Sequence, residues 1–141
     1  MDKLRVRVYN VRFGDAILIS LPDAPAGGTA ELRHILIDVG NSLGTEGGVD
    51  TVFQPVLENM LTELAGQPLD LYIMTHEHMD HVQGLQYGEQ KIFQPKSLKN
   101  MLQVRYAWLT ASARPDYYKT HENAKKKLDE TRAFLEVMQQ Y

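Results

Sequence analysis

Residues 69–81 dominate the interpretation of this chain, and they read LDLYIMTHEHMDH. The first half is an apolar run without glycine or proline, which is typical of a buried strand. The second half places three of the five histidines and one aspartate within residues 76–81. Imidazole and carboxylate groups together are ligands of zinc, iron and manganese. The stretch therefore predicts a strand that ends in a metal site.

The spacing of the polar residues predicts how they approach a metal. Side chains two positions apart in extended backbone point the same way, so His76 and His78 are expected to reach one ion together. Asp80 and His81 follow where the chain turns towards a helix, and they are expected to face another direction. Such a set suits two neighbouring ions, which lie roughly 3.5–4 Å apart in two-metal sites. The alternative is a polar loop whose histidines are hydrogen-bonded without a metal.

Composition and charge predict a single globular domain. The chain has 141 residues, of which 43% are hydrophobic and 23% charged, and its net charge is −3. These values give no reason to expect an anionic membrane as a partner. The absence of cysteine excludes disulfides and thiolate zinc sites. No signal-peptide core and no apolar run of membrane-spanning length is present, so the expected location is the cytoplasm.

The order of the predicted elements is strands first, then alternating helices and strands. Strands are expected over residues 3–11, 16–21, 33–39, 69–75 and 103–109. Helices are expected over residues 50–65, 80–87 and 115–140. Residues 22–29 and 41–48 are rich in glycine or proline and predict loops, whereas residues 91–95 predict a short strand or a loop. This order predicts an α/β or α+β fold with a mixed sheet.

Two local patterns make more detailed predictions. Residues 3–11 alternate, with Leu4, Val6 and Val8 on one face and two arginines on the other, which predicts a strand with one solvated face. Asp50 is expected to cap the first helix and Gly66 to end it. In the second helix, the glycines at 84 and 88 are expected to limit the length.

The metal motif resembles the signature of a known superfamily. The run Thr75-His76-Glu77-His78-Met79-Asp80-His81 after an apolar strand is similar to the Thr-His-x-His-x-Asp-His signature of the metallo-β-lactamase superfamily. Residues 14–19 resemble its second strand, which often follows a Gly-Asp pair. Residues 35–40 resemble the strand whose Asp-x-Gly end lies beneath the site. The resemblance covers residues 1–112.

This resemblance implies a fold and a ligand set. The implied fold is an αββα sandwich. His76 and His78, with a later histidine, would hold one metal, whereas Asp80 and His81, with another later histidine, would hold a second. The implied cofactor is zinc, as two ions in a complete domain, with iron and manganese as alternatives. Asp38 either orients a ligand histidine from beneath or caps the turn before a glycine.

The family's later ligands have no counterpart in this sequence. Only His121 follows the motif, on the expected C-terminal helix, where a solvent-facing position is preferred to a ligand role. We therefore expect residues 1–141 to form a single, incomplete domain. Residues 1–112 would hold the sheet and the motif, and residues 113–141 a helix, as the N-terminal portion of a longer protein. A face left exposed in this way favours a homo-oligomer.

The expected function is metal-dependent hydrolysis. A metal-bound hydroxide would attack an ester, amide or phosphodiester, with Asp80 as the catalytic residue. The substrate is a small molecule or a phosphodiester. Nucleic acid is a further option, because the chain resembles hydrolases related to a domain of competence DNA-uptake proteins. The alternative is a catalytically inactive fragment that acts as a binding or regulatory module.

Overall fold

The computed structural model describes residues 3–23, 31–41, 49–93, 101–114, 116–126 and 129. The chain divides into two compact units between Leu109 and Thr110. The first unit contains a five-stranded sheet and two helices of more than ten residues. The described part of the second unit contains short helical segments.

The sheet of the first unit is mixed, with the strand order β1-β2-β3-β4-β5. Its strands are β1 (Arg5–Val8), β2 (Ala16–Asp23), β3 (Glu31–Val39), β4 (Leu69–Ile73) and β5 (Val104–Trp108). The pairs β1–β2 and β2–β3 are antiparallel, whereas β3–β4 and β4–β5 are parallel. The prediction of a mixed α+β fold is therefore confirmed at this level.

Two helices pack on one face of the sheet. They are α1 (Val49–Leu64) and α2 (Met79–Lys91). Apolar residues of α1 recur at helical spacing, and Phe53, Leu57 and Met60 are each 1% exposed. They form one buried cluster with Leu18 of β2 and Leu36 of β3, which are equally buried. Burying each such side chain stabilises the fold by roughly 1.5–3 kcal/mol.

The ends of the two helices differ from the prediction. Helix α1 begins at Val49, so the backbone of Asp50 lies inside its first turn. Helix α2 continues to Lys91, so the glycines do not limit it. A Cβ added at Gly84 would lie 2.9 Å from the ring of Phe53, and one added at Gly88 would overlap the ring of Phe93. These glycines let neighbouring groups approach the helix closely, which offsets their low helix propensity.

The opposite face of the sheet carries two complete rows of apolar residues. Neighbouring strands place Val8, Ile17, Ile37, Ile73 and Trp108 in one row. The second row consists of Val6, Ile19, Ile35, Leu71 and Tyr106. We call these ten residues the open face, because none of them is buried and those of the two edge strands are exposed.

Strand β1 is exposed on its apolar side. Val6 and Val8 are 55% and 73% exposed. The arginines turn towards α1, where Arg5 and Arg7 pair with the carboxylate of Glu63 at 3.2 and 2.7 Å. The alternation was therefore predicted correctly, but the solvated face is the one that carries the valines.

The second unit does not contain the continuous helix that was predicted from residue 115. Its described residues form a 3-10 helix (Ala111–Ala113), the short helix α3 (Tyr117–Thr120) and helical backbone at 122–126. The break falls at His121, whose Nδ1 lies 2.9 Å from the carbonyl oxygen of Tyr117. In a continuous helix the backbone N–H of His121 would occupy that carbonyl, so the side chain competes with the backbone. Residue 115 and most of residues 127–141 lie outside the described residues.

The predicted loops lie largely outside the described residues. Pro22 and Asp23 extend β2 beyond its predicted end, and residues 24–30 and 42–48 are not described. Of residues 91–95, Lys91 ends α2, and 94 and 95 are not described. Within the described part of the chain, no helix has the length and apolar character needed to cross a membrane.

Candidate metal centre

The candidate site lies where two parallel strands end side by side. Ile37 of β3 is paired with Ile73 of β4, and both strands end at or shortly after this pair. Asp38 follows on β3, and the residues after β4 run into α2 at Met79. The C-terminal ends of parallel strands are where α/β proteins usually bind ligands, because the loops that follow converge there.

Asp38 is the buried centre of the site. It is 1% exposed, and its Oδ1 accepts the backbone N–H of Thr75 at 2.9 Å. Its Oδ2 accepts the hydroxyl of Thr75 at 2.6 Å and lies 2.8 Å from Nδ1 of His81. A buried carboxylate needs such partners, since an unpaired one is costly to desolvate. The structure thus places Asp38 beneath a predicted ligand histidine.

The backbone of Asp38 is also unusual. Its φ is 49°, a left-handed conformation that non-glycine residues seldom adopt. Such a residue costs of order 1–3 kcal/mol and persists where surrounding contacts hold it in place. The bonds to Thr75 and His81 supply those contacts.

The two ring nitrogens of His81 lie near two different carboxylates. Its side chain is 8% exposed. The carboxylate of Asp38 accepts a hydrogen bond, so the tautomer assigned to a neutral His81 carries its proton on Nδ1. Nε2 then lies 3.3 Å from Oδ2 of Asp80. Fixing one nitrogen by a carboxylate and leaving the other available is the usual arrangement of a metal-binding histidine.

Two glycines allow the backbone segments of the site to touch. The N–H of Gly40 donates to the carbonyl of Asp15 at 3.0 Å, and the N–H of Asp15 donates to the carbonyl of Asp80 at 3.1 Å. A Cβ added at Gly40 would overlap the peptide between Asp80 and His81. One added at Gly14 would lie 2.6 Å from the carbonyl oxygen of Asp80. The two glycines allow the start of α2 to lie against the start of β2 and the end of β3.

Three of the four predicted ligands come together. One donor atom each from His76, Asp80 and His81 can be chosen so that all lie within 4.8 Å of one another. The rings of His76 and His81 have centroids 3.6 Å apart. His78 lies outside this group and is exposed, with its ring centroid 4.7 Å from that of His76.

The pairing of His76 with His78 was expected from extended backbone, and the structure groups the ligands differently. Strand β4 ends at Ile73, and the chain bends at residues 77 and 78 before α2 begins. Alternation of side chains therefore does not continue through the motif. The carbonyl of His78 accepts the N–H of His81 at 2.9 Å as the helix starts, which brings His81 back towards His76.

Two residues of the site were not predicted as part of it. The hydroxyl of Thr75 lies 3.0 Å from Nδ1 of His76 and 3.4 Å from Nδ1 of His81, in addition to its bond to Asp38. Oδ2 of Asp15 lies 3.8 Å from Nδ1 of His81, although Asp15 was named only as part of the Gly-Asp pair before the second strand. The signals that could have found them are the first position of the motif and the Gly-Asp pair before β2.

The site is negatively charged and rests on the core. Three carboxylates, those of Asp15, Asp38 and Asp80, lie within 4 Å of His81. Below the site, burial raises the pKa of Tyr72 to about 12, and the nearby charge of Asp38 adds to that rise. Carboxylates around imidazoles in a partly buried position attract a cation.

Comparison of the chain with protein-family models, with curated proteins and with solved structures finds no match. The resemblance to the metallo-β-lactamase superfamily is therefore carried by the residues of the motif and its flanking strands. The described residues define a mixed α+β protein with a histidine- and aspartate-rich site at the end of parallel strands.

Proposed function

We propose that this chain forms the metal-binding part of a metal-dependent hydrolase with a metallo-β-lactamase-like αββα fold. The helices, the sheet and its apolar open face would form one αβ half of that sandwich. The observation that carries the proposal is the convergence of donor atoms from His76, Asp80 and His81 within 4.8 Å. The ion is zinc, with iron and manganese as alternatives suited to the same ligand types.

The distances in the group fit a small divalent ion. Two donors on one tetrahedral zinc lie roughly 3.3–3.4 Å apart when each bond is about 2.0–2.1 Å. Nε2 of His81 and Oδ2 of Asp80 already have this separation, at 3.3 Å. His76 would supply the third donor, because one ligand atom from each of the three residues lies within 4.8 Å of the other two. Three protein ligands with one open position are typical of catalytic rather than structural zinc.

The electrostatics of the same pair support a cation. When Nδ1 of His81 donates to Asp38, Nε2 of the neutral ring carries a lone pair. That lone pair would face a carboxylate oxygen of Asp80 at 3.3 Å, and two acceptors at this distance repel each other. A proton on Nε2, or a cation held by His81 and Asp80, would remove the repulsion. Asp15 adds further negative charge, which favours the divalent ion.

The residues of the chain have separable roles in such a reaction. A bound ion supplies Lewis acidity and a water whose pKa is lowered towards about 7. The side chain of Asp80 is 23% exposed, so its carboxylate is accessible from solvent and can accept a proton there. Asp38 and Thr75 hold the His81 ring in place. The substrate class is an ester, amide or phosphodiester of a small molecule, with nucleic acid as a further option.

The metal site is tested by metal analysis of the purified chain. The chain is loaded with zinc, or with cobalt(II) for its absorption spectrum, and compared with Asp80→Asn and with His76→Gln plus His81→Gln. We expect binding that weakens at least tenfold in the single variant and is lost in the double variant. His121→Gln is the matched control, because His121 is exposed in the second unit. Wild-type metal content no higher than that of the double variant would refute the site.

The alternative is a non-catalytic interaction module, which the open face favours because exposed apolar surface of this kind marks binding sites. Turnover separates the two functions. The loaded chain is assayed with a chromogenic ester, a β-lactam and a nitrophenyl phosphodiester. Hydrolysis of any of them that is lost in Asp80→Asn supports the hydrolase and argues against the module. Metal binding without turnover shows that this chain by itself does not form a working hydrolase site.

A further inference from the structure

We propose that the open face is a homodimer interface, in which a second copy of this chain packs its own open face sheet-to-sheet against the first. The inference does not depend on the metal site, since none of the ten residues is a predicted ligand. Two such sheets with their helices outside would form four layers, α, β, β and α.

The first argument is the composition of the open face. Two rows of five residues cross the whole sheet, and all ten residues are aliphatic or aromatic. Where the two rows cross β1 to β4, every position is valine, isoleucine or leucine. Branched aliphatic side chains on a pleated surface interdigitate well with a second sheet about 10 Å away.

The second argument is the amount of apolar surface. At the two edges, Val8, Tyr106 and Trp108 are 73%, 73% and 65% exposed. With aromatic side chains presenting roughly 150–250 Å² each, the open face exposes on the order of 700 Å². A stable standard-size interface buries about 800 Å² per partner, so the face has nearly the area that a dimer needs.

The third argument is the difference in side-chain size between the two edges of the open face. This difference favours a second copy of the same face as the partner. Large aromatic residues, Tyr106 and Trp108, lie on the β5 edge, and small ones, Val6 and Val8, lie on the β1 edge. A two-fold axis between the sheets and parallel to the strands places the β5 edge of each copy over the β1 edge of the other. Bulky residues then face small ones at both edges, and the gap between the sheets stays even. This is an isologous and closed arrangement.

The fourth argument is the position of charge. The next residue of β3 on the same side is Arg33, and its guanidinium is already paired with Asp23 at 2.8 Å and with Asp70 at 3.2 Å. Arg33 therefore brings no unpaired charge to the border of the two apolar rows. A charge-free centre with paired charges at its border is the usual anatomy of an interface.

The test begins with the size of the intact chain in solution. Sedimentation velocity and light scattering are followed over concentrations from about 1 μM to 1 mM, the range in which moderate dimers dissociate. Trp108 is the single tryptophan, so its emission reports directly on the open face. We expect a concentration-dependent dimer whose formation shifts the emission of Trp108 to the blue.

Charge substitutions at the two edges test the proposed axis. Val8→Glu and Trp108→Lys are each expected to weaken dimerisation at least tenfold, because each buries an unpaired charge. The two substitutions combined in one chain place an acid opposite a base across the interface and are expected to restore the dimer. Ala107→Lys is the matched control, because Ala107 is also exposed on β5 but lies on the other side of the strand. Circular dichroism checks that every variant keeps its fold.

Each other outcome overturns the proposal. A wild-type chain that stays monomeric throughout the range excludes the dimer, whether Trp108 is then exposed to a quencher or shielded by another part of the chain. A dimer that survives both single substitutions uses another surface, such as an unpaired strand edge. Single variants that are monomeric, with a double variant that also stays monomeric, exclude the proposed two-fold arrangement.

Discussion

Two buried histidines of the first unit, His34 in β3 and His81 in α2, differ in what faces their rings. His34 is 1% exposed, and its Nδ1 lies 3.0 Å from the hydroxyl of Ser20. His81 is 7% exposed, and it has a carboxylate near each ring nitrogen, at 2.8 and 3.3 Å. Burial alone therefore does not mark a ligand histidine. The carboxylates that fix one nitrogen and lie near the other distinguish the candidate metal site from a core position.

The pKa of His34 also reflects its position in the core. Burial is the largest cause that lowers its pKa, while the charge of Asp70 and a hydrogen bond with Gln67 partly oppose it. The carboxylate of Asp70 accepts the backbone N–H of His34 at 2.9 Å and does not bond to its ring. His34 is thus held neutral as part of the core, whereas His81 lies among three carboxylates.

The largest expected effect comes from removing the carboxylate beneath His81. Asp38→Ala leaves His81 and Thr75 without their buried partner, and we expect a loss of about 3 kcal/mol in the free energy of unfolding. Urea denaturation measures it. Asp15→Ala is the matched control, because the side chain of Asp15 is 58% exposed and 3.8 Å from His81, so its loss should cost little. Equal effects of the two substitutions would contradict the central role of Asp38.

The comparison between the histidines themselves is tested by metal affinity. His81→Gln removes a proposed ligand, and we expect cobalt or zinc affinity to fall about 100-fold, the upper part of the range for changes around a metal. His34→Gln is expected to leave the affinity unchanged, because no metal-ligand group includes it among the described residues. Isothermal titration of both variants checks this. An equal loss in both would show that the substitutions act through general destabilisation.

A smaller effect is expected from removing the hydroxyl of Thr75, which lies near the rings of both His76 and His81. Thr75→Val keeps the shape and the backbone N–H bond to Asp38 but removes the hydroxyl bond of 2.6 Å. We expect about tenfold weaker metal binding, since orienting groups around ligands contribute at that level. Thr75→Ser, which keeps the hydroxyl, should bind like the wild type. If the valine variant binds equally well, Thr75 does not position the ligands.

The smallest effect is the pH dependence contributed by His34. Its folded pKa is lowered, so the unfolded chain binds the proton more readily. The contribution of His34 to stability is thus complete above its unfolded pKa of about 6.5 and is lost as the pH falls through the folded pKa. In metal-free buffer, His34→Gln should flatten the decline of unfolding free energy below pH 6.5 relative to the wild type, at most by about 1.4 kcal/mol per pH unit. If the unfolding free energy declines equally steeply in both proteins, groups other than His34 cause the loss of stability at low pH.

Local patterns in the sequence predicted the elements that the two histidines belong to. Alternating and continuous apolar runs located every strand of the sheet, and the helical spacing from Val52 to Leu64 located α1. The metal motif could be recognised because its ligand types are close together in sequence. Asp38 and Thr75 are 37 residues apart, and residue spacing alone could not predict their contact.

Other features could not be predicted because they depend on what packs against an element. The glycines of α2 looked like helix ends, but they accommodate Phe53 and Phe93. At the break near His121, the carbonyl of Tyr117 has two side-chain partners, the imidazole of His121 at 2.9 Å and the hydroxyl of Thr120 at 3.1 Å. In both cases a local propensity was overridden by a particular neighbour.

The sequence by itself determined which residues alternate along each strand and which chemical groups follow β4. Alternation and ligand type are properties of a few consecutive residues, so they are encoded locally. Only the tertiary structure decided that the arginines of β1 face α1, that the valines lie on the open face and that Asp38 meets His81. The physical reason is that a strand presents two faces of equal geometry, and long-range pairing and packing choose which one is covered.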